Sequence, residues 1–409
     1  MSALKGLRVV ELANERLAFA GKLLGDMGAD VILVEPPGGD PSRHYPPWLD
    51  DEPGEDRSLY WWHYNTSKRS VVLDLDEPSD QQRFRNLIKS ADILIESENT
   101  QRLATLSLDY ADMCKLNPGL IHAAMTSYGR NHPDSNLPVT DLTILAGGGP
   151  VWSCGYDDHR LPPVRGWGNQ GYHTGCHFTF MGVLTALMNR LLSGEGQFVD
   201  VSMHAAANIT TESATYAWHV ARATVLRQTG RHAGARPSGE TQKLCADGHY
   251  ANTGVPPRKP ADFASLAKWL SDSGLDHELP EAVFLQMGAV WEGPFDLSLI
   301  GTDDTITAIF GAGREALKLL AGHLSAQDFF IGCQEAGLAT GPVNTPEETF
   351  EDPHFIARGF QVEVTHEDLG RTFRYPGAPY KLPASPWAIG RRAPKLGEHT
   401  QAVFAELPI

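Results

Sequence analysis

Short runs of aliphatic and β-branched residues alternate with helix-like stretches through the first third of the chain. The runs fall at residues 7–12, 30–35, 70–75, 92–96 and 120–125. Such runs are typical of strands that are buried on both faces, and a helical connection between two of them makes the strands parallel. The pattern therefore predicts an α/β fold whose core is a doubly wound parallel sheet covered by helices.

The turn that follows the first predicted strand lacks a dinucleotide-binding fingerprint. Residues 13–21 read Ala-Asn-Glu-Arg-Leu-Ala-Phe-Ala-Gly, without the GxGxxG spacing that brings the backbone close to a pyrophosphate. Nicotinamide and flavin chemistry are therefore disfavoured.

Charge and cysteine content restrict the class of protein further. A formal net charge of -16 argues against nucleic acid or an anionic membrane as a partner, because both are negatively charged. A membrane span needs about 18 uncharged apolar residues in a row, and no run reaches that length. The N-terminal residues lead directly into a strand pattern, which leaves no room for a signal peptide. The five cysteines form no CxxC pair, which favours reduced thiols in a cytoplasmic protein.

A long apolar run later in the chain predicts a buried central helix. Residues 177–188 are hydrophobic on nearly all faces, and the helix is expected to stop at the glycine after Ser193. His173 and His177 would share one face of this helix, but zinc requires a third ligand and none is visible, so we expect packing roles and no metal. A second long helix is predicted over 211–228.

Landmarks along essentially the whole chain resemble, in order and spacing, those of the class III CoA-transferases, the family named for carnitine and bile-acid CoA transfer. They comprise residues 5–12, 24–40 with Arg43, 65–74, 91–96, 117–121, 193–202, 245–250, 341–343, 352–360 and 396–400. No single landmark is decisive, and their common order identifies the family.

The resemblance implies a Rossmann-like large domain and a smaller mixed α/β domain, in a ring-shaped subunit that interlocks with a second subunit. It assigns residues 1–225 and about 338–409 to the large domain, about 240–336 to the small domain, and 226–239 to a segment that crosses between them.

The resemblance also implies a reaction. A CoA thioester binds between the large domain of one subunit and the small domain of the other, as a substrate, and no cofactor is held permanently. An aspartate attacks the thioester to give an acyl anhydride, the CoA thiolate returns to form an aspartyl-CoA thioester, and the acceptor acid then takes the CoA. A carboxylate suits this role because each intermediate stays a reactive acyl derivative, while backbone N–H groups stabilise the oxyanions.

The aspartate that this chemistry needs is missing from the segment before the buried helix. Residues 167–175 contain no Asp or Glu. Alignment on the helix places Gly171 or Tyr172 at the position of the family's aspartate, and the nearby amide of Asn169 is not a nucleophile. The racemase branch of the same fold uses a His and an Asp as opposed acid and base. A racemase is disfavoured, because residues 138–140 read Pro-Val-Thr at the place of its His.

Three carboxylates near the gap are candidates for a role in the site. Asp141 matches an acidic residue of the family, and it either orients the site or caps the helix expected at 142–146. Asp157 and Asp158 are the nearest carboxylates upstream of the gap. Their setting before Pro162 indicates a polar turn, with a displaced nucleophile as the alternative.

The resemblance assigns three residues to CoA. Lys68 and Arg69 keep the family's basic pair, and they either meet CoA phosphates or face water at the start of a strand. Leu73 matches a position that packs near the adenine. Two pairs depart from the family: Ser97-Glu98 replaces an Asn-Phe, and Glu15-Arg16 replaces small residues that let the first turn approach CoA.

Three functions remain open. In the first, the chain is an aspartate-lacking subunit that pairs with a homologous aspartate-bearing chain, and the complex moves CoA from a thioester such as succinyl-CoA to a carboxylic acid such as benzylsuccinate. In the second, it is a homodimeric CoA-transferase that uses another carboxylate, such as Asp157 or Asp158. In the third, it is a non-catalytic acyl-CoA-binding homologue.

Overall fold

The computed structural model describes residues 2–254 and 257–407, without the side chains of Glu212 and Ser213. The chain divides into two compact units. The first comprises Met1–Trp152, Arg165–Thr215 and Asp352–Ile409, and the second comprises Ser153–Val164 and Tyr216–Glu351. The domain boundaries predicted from the family resemblance stay a prediction.

The elements are numbered in chain order. The strands are β1 Arg8–Leu12, β2 Asp30–Glu35, β3 Lys68–Val72, β4 Ile93–Glu96, β5 Ile121–Thr126, β6 Phe198–Ser202, β7 Leu226–Gln228, β8 Arg231–Gly234, β9 Gln242–Leu244, β10 Tyr250–Thr253, β11 Thr340–Pro342, β12 Gln361–His366 and β13 Arg371–Pro376. The helices are α1 Ala18–Asp26, α2 Leu59–Tyr64, α3 Pro78–Lys89, α4 Thr100–Thr105, α5 Tyr110–Leu116, α6 Asp141–Gly148, α7 Gln170–Ser193, α8 Met203–Ile209, α9 Glu212–Ala221, α10 Pro260–Asp272, α11 Ala282–Ala289, α12 Asp304–His323, α13 Ala326–Glu335, α14 Pro346–Glu351, α15 Pro353–Arg358 and α16 Thr400–Ala405.

The first unit is built on a parallel sheet in the order β3-β2-β1-β4-β5-β6. Val10 in β1 pairs with Ile32 in β2 on one side and with Leu94 in β4 on the other. The chain thus extends the sheet in one direction from β1 and then in the other from β4. The predicted α/β fold with a central parallel sheet is confirmed.

Both faces of this sheet are covered, because successive strand residues point to opposite sides and both sets are apolar. On one face, Val9, Val31 and Ile93 pack with residues of α1 and α7. On the other face, Val10 and Ile32 pack with residues of α3. The continuous apolar runs of the sequence therefore supply two cores, one on each side of the sheet.

Helix α7 departs from the prediction that it is buried on all sides. Its buried face includes Cys176 and Val183, whereas Met188, Leu191 and Leu192 on the other face are exposed. The expected glycine stop is present, since the helix ends at Gly194 with a φ of 77°.

The second unit contains an antiparallel sheet in the order β11-β10-β9 and a β7-β8 pair. Helices α10 to α13 supply its apolar core, with Phe263, Ile309 and Phe329 fully buried. The helix predicted over 211–228 is wrong in its second half, because α9 ends at Ala221 and the chain then forms β7. Among residues 2–254 and 257–407, no helix combines the length and apolar character needed to cross a bilayer.

Candidate functional site

A cavity of about 250 Å³ lies at the carboxyl ends of the central strands of the first unit. The loop after β1 contributes Asn14 and Arg16, and the loop after β4 contributes Ser97, Glu98 and Asn99. Strand order reverses between β1 and β4, and open α/β sheets bind their ligands at such a crevice. The cavity is therefore where the fold itself indicates a ligand.

The N-terminus of α7 is occupied by a side chain of the neighbouring helix α6. Asp141 Oδ1 accepts hydrogen bonds from the backbone N–H groups of Gly171 at 2.7 Å and Tyr172 at 3.1 Å. Its other oxygen, Oδ2, accepts from Arg165 at 3.0 Å. The hypothesis that Asp141 caps the helix it begins is wrong, because Thr140 caps α6. Asp141 instead satisfies two backbone donors at the start of α7.

Neither position aligned with the family's aspartate supplies a nucleophile. A Cβ added to Gly171 would lie 3.2 Å from Asp141 Oδ1 and 3.3 Å from side-chain carbons of Ile144 and Leu145, so a carboxylate there would be crowded and would face a like charge. Burial, and then the charge of Glu15, raises the pKa of Tyr172 above that of an ordinary phenol. Its hydroxyl therefore stays protonated near neutral pH.

An aromatic cluster surrounds the first turns of α7. Asn169 Nδ2 donates to the hydroxyl of Tyr60 at 2.6 Å, and the Tyr64 hydroxyl is 2.9 Å from Nε2 of His173. The His173 ring stacks on Phe19 at 4.3 Å between ring centroids. Burial, and then the neighbouring His177, lowers the pKa of His173, which favours a neutral imidazole.

His177 also contacts Phe19, edge to face. The two histidines thus have the packing environment expected of them. In the part of the chain that the structure describes, no group of three or more His, Cys, Asp or Glu residues could hold a metal ion.

Asp157 and Asp158 lie in the second unit, and each is paired with an arginine. Asp157 forms an ion pair with Arg231 and accepts from the backbone N–H of Thr229 at 3.3 Å. Asp158 accepts from both Nε and Nη2 of Arg160, at 2.9 and 2.8 Å. The Arg160 hydrogen bonds hold the pKa of Asp158 below its usual range. This geometry is that of the polar turn, in which both carboxylates already have cationic partners.

Lys68 lies inside the first unit, away from this cavity. Its ammonium is fully buried and donates to Glu11 Oε1 at 2.8 Å and to Ala18 O and Asn65 Oδ1, both at 2.9 Å. An ammonium has three N–H donors, so none is left for a phosphate. The geometry gives Lys68 a structural role.

Arg69 and Leu73 also have partners within the fold. Arg69 binds both carboxylate oxygens of Asp30, at 2.8 and 2.6 Å, and both of Glu406, at 2.8 and 3.1 Å. Leu73 lies in the apolar core with Phe84. Lys68, Arg69 and Leu73 are not among the residues that line the cavity, and their assignment to CoA stays a prediction.

Arg16 and Asn14 are site residues that sequence reasoning missed. The sequence marks Arg16 only as a departure from the family, yet this residue lines the cavity. No carboxylate lies within ion-pair distance of its guanidinium among residues 2–254 and 257–407. Their position directly after β1 is the signal that could have identified both residues.

Ser97 and Glu98, the other pair that departs from the family, also line this cavity. Ser97 donates its hydroxyl to Met125 O at 2.7 Å. Burial raises the pKa of Glu98, which lies 3.4 Å from Arg102. The loop after β4 therefore presents a carboxylate with a raised pKa instead of the family's Asn-Phe.

Comparison with known proteins agrees with this fold. The profile of CoA-transferase family III matches residues 4–282 and 301–400. The chain is 31% identical over 399 residues to succinyl-CoA:(R)-benzylsuccinate CoA-transferase subunit BbsE of Thauera aromatica, covering 98% of this chain and 93% of that one. It is 30% identical over 408 residues to succinate–glutarate CoA-transferase of Agrobacterium fabrum, covering 99% and 95%.

A crystal structure of a CAIB/BAIF family protein from Brucella suis matches with a TM-score of 0.79 at 24% identity, over 100% of both chains. That likeness concerns the fold. The profile match across most of the chain and the identity with full-length relatives confirm the predicted family. The chain belongs to CoA-transferase family III.

Proposed function

We propose that this chain is the aspartate-lacking subunit of a cytoplasmic class III CoA-transferase. It pairs with a homologous chain that carries the nucleophilic aspartate. The complex moves CoA from a thioester such as succinyl-CoA to a carboxylic acid such as benzylsuccinate. The CoA thioester is a substrate, and no cofactor is held permanently.

The proposal rests on the hydrogen bonds at the N-terminus of α7. Alignment on the helix places Gly171 or Tyr172 at the position of the family's aspartate, and Asp141 already accepts from both of their backbone N–H groups. The first turn of α7 therefore has neither a free carboxylate nor free donors at these two residues. Transfer through an acyl-aspartyl intermediate would then require a carboxylate from elsewhere, and the proposal takes it from the partner chain.

An exposed apolar stripe on α7 supports a partner chain. Met181, Met188 and Leu192 are spaced by seven and four residues, so they share one face of the helix, and Leu191 lies beside them. Leu191 is 85% and Leu192 is 91% exposed. Exposed leucines on a long, mostly apolar helix are typical of a surface that another chain covers. The relative in Thauera aromatica is itself named as a subunit.

Further parts of the proposal follow from the family. The strand order β3-β2-β1-β4-β5-β6 supports a Rossmann-like large domain. We extend the proposal to a ring-shaped subunit that interlocks with its partner, with residues 1–225 and about 338–409 as the large domain and about 240–336 as the small one. In such a pair, Arg16 at the carboxyl end of β1 would bind an anionic group of the substrate.

The experiment is acyl-enzyme trapping. The chain is purified alone and also co-expressed with the homologous aspartate-bearing subunit that the proposal requires. Each preparation is mixed with succinyl-CoA and quenched with hydroxylamine or borohydride. Mass spectrometry of tryptic peptides then locates the modified carboxylate. We expect no modification of this chain in either preparation, and modification of the other subunit in the complex.

A modified Asp or Glu on this chain would overturn the proposal. Modification at Asp157 or Asp158 would establish the homodimeric alternative. If the complex forms and binds acyl-CoA but neither chain is modified and no CoA is transferred, the chain is a non-catalytic acyl-CoA-binding homologue.

A further inference from the structure

A second cavity, of about 300 Å³, lies wholly within the second unit. Arg231, Lys243, Arg258 and Arg314 line it as cations, and Glu240 lines it as a carboxylate. Arg231 already pairs with Asp157, so the other three cations remain for a ligand. Its apolar lining comprises Leu297, Ile300, Phe310 and Leu317. The cavity thus has a cationic part and an apolar part, although the chain as a whole has 50 acidic and 34 basic residues.

Lys243 has little contact with water and no partner. Its residue surface is 8% exposed, and its ammonium has no hydrogen-bond or ion-pair partner among residues 2–254 and 257–407. The charges of Glu240 and Glu315 reach it only beyond ion-pair distance, and burial lowers the pKa of Lys243. Lys68, by contrast, donates to three acceptors. A lysine that has little contact with water and no acceptor is costly to keep, so its position requires an explanation.

Arg314 is placed against the backbone of the loop before β9. A Cβ added to Gly239 would lie 2.6 Å from the guanidinium carbon of Arg314, so the glycine leaves room for that group. The loop is held in position, because Ser238 donates its backbone N–H to Gln228 Oε1 at 2.6 Å. No carboxylate within the described ranges forms an ion pair with Arg314 or Arg258.

We propose that this cavity binds a small organic carboxylate. The carboxylate group lies between Lys243 and Arg314, and the apolar body of the ligand lies against Phe310 and Leu317. Arginine and lysine together provide a fork of donors and a point charge for one carboxylate. The apolar lining favours an organic acid over inorganic phosphate, which has no apolar surface to bury. This site is independent of the nucleophile question, since it uses no residue of the α7 N-terminus.

Isothermal titration calorimetry on the full chain alone tests the proposal. The probes are phenylacetate, inorganic phosphate and 2-phenylethanol, which keeps the aromatic ring but has no charge. We expect phenylacetate to bind at one site per chain, and 2-phenylethanol and phosphate to bind much more weakly. Because neither CoA nor a partner subunit is present, this result does not depend on the proposed transferase role.

Two variants and one control locate the site. Lys243→Met and Arg314→Gln should each weaken phenylacetate binding by roughly ten- to a hundredfold, the range for losing a charged hydrogen bond. Lys268→Met is the control, because Lys268 is 75% exposed and pairs with Asp272 on α10; it should leave the affinity unchanged. Lys243→Met should also raise the thermal midpoint, because it removes a charge that has no partner and little contact with water while keeping a side chain of similar length.

Unchanged affinity in both Lys243→Met and Arg314→Gln would overturn the proposal, as would the absence of phenylacetate binding to the unmodified chain. Tighter binding of phosphate than of phenylacetate would overturn the assignment to an organic acid.

Discussion

The carboxylate of Asp141 and the backbone N–H of Gly171 are joined by a 2.7 Å hydrogen bond between two helices of the first unit. The same oxygen also accepts from Tyr172, and the other oxygen binds Arg165. One buried carboxylate therefore holds the start of α7, the helix before which the family places its nucleophile. A carboxylate therefore lies at the start of α7, but it accepts hydrogen bonds from the backbone of that helix.

Replacing Asp141 should destabilise the fold. Asp141→Ala removes an acceptor for two helix N–H groups and the partner of Arg165, and we expect the free energy of unfolding to fall by about 2–3 kcal/mol. Asp141→Asn keeps an acceptor oxygen and should cost less. Urea titration followed by circular dichroism measures both. A free energy unchanged by Asp141→Ala would contradict the capping role.

Lys68→Met should lower stability and leave CoA binding by the folded protein unaltered. Removing one partner of a buried ion pair leaves Glu11 without its cation, which costs about 3–5 kcal/mol. Equilibrium unfolding and CoA titration of the folded fraction separate the two effects. Lys89→Met, an exposed change on α3, serves as the control. Weakened CoA binding without lost stability would instead assign Lys68 to the ligand.

The stability contribution of Glu11 should decrease as pH rises. Burial raises the pKa of Glu11 to about 7, and the charge of Lys68 offsets this only in part. Between the ordinary value of 4.5 and about 7, the folded state holds a proton that the unfolded state has lost. The contribution is therefore fully present below pH 4.5 and is lost as pH rises through about 7.

Glu11→Gln does not titrate, so it provides the reference for this pH dependence. We compare the free energy of unfolding of the unmodified protein with that of Glu11→Gln. The difference should fall by up to about 1.4 kcal/mol per pH unit between pH 4.5 and about 7. Urea titrations from mildly acidic to mildly alkaline pH give the difference. A difference that stays constant would mean that Glu11 is ionised throughout.

Asp157→Asn and Asp158→Asn should leave CoA transfer by the complex within about twofold of the unmodified rate. Each carboxylate is paired with an arginine in a partly exposed turn, and such pairs contribute little. A coupled assay of acyl-CoA formation measures the rate for each variant and for the double variant. A loss of a hundredfold or more in either single variant would identify that residue as the displaced nucleophile.

The apolar stripe on α7 should be needed for assembly. Leu191→Glu combined with Leu192→Glu places two charges on the exposed face, and we expect the partner complex to dissociate, because charged residues are disfavoured at the core of an interface. Size-exclusion chromatography with light scattering measures the mass. Val290→Glu changes another exposed apolar residue, 77% exposed in the second unit, and should leave the complex intact. An intact complex in the double variant would place the interface elsewhere.

The α7 region illustrates how far the sequence alone reaches. The missing aspartate is visible in residues 167–175 without any structure, and the helix and its glycine stop follow from apolar spacing. The role of Asp141 could not be read in this way, because its hydrogen-bond partner Gly171 lies 30 positions further along the chain. The exposed face of α7 was also missed, since an all-apolar helix has the same pattern whether its own chain or another one covers it.

The sequence by itself determined five strands of the parallel sheet, the family and the lack of Asp and Glu in residues 167–175, because these depend on local apolar runs and on the order of short motifs. The tertiary structure decided which polar groups are free. Lys68 reaches Glu11 across 57 positions and Arg69 reaches Glu406 across 337, so two residues that resemble CoA ligands in sequence are ion-paired within the fold. A cation's role depends on the acceptors that folding brings to it, and a linear pattern does not contain those distances.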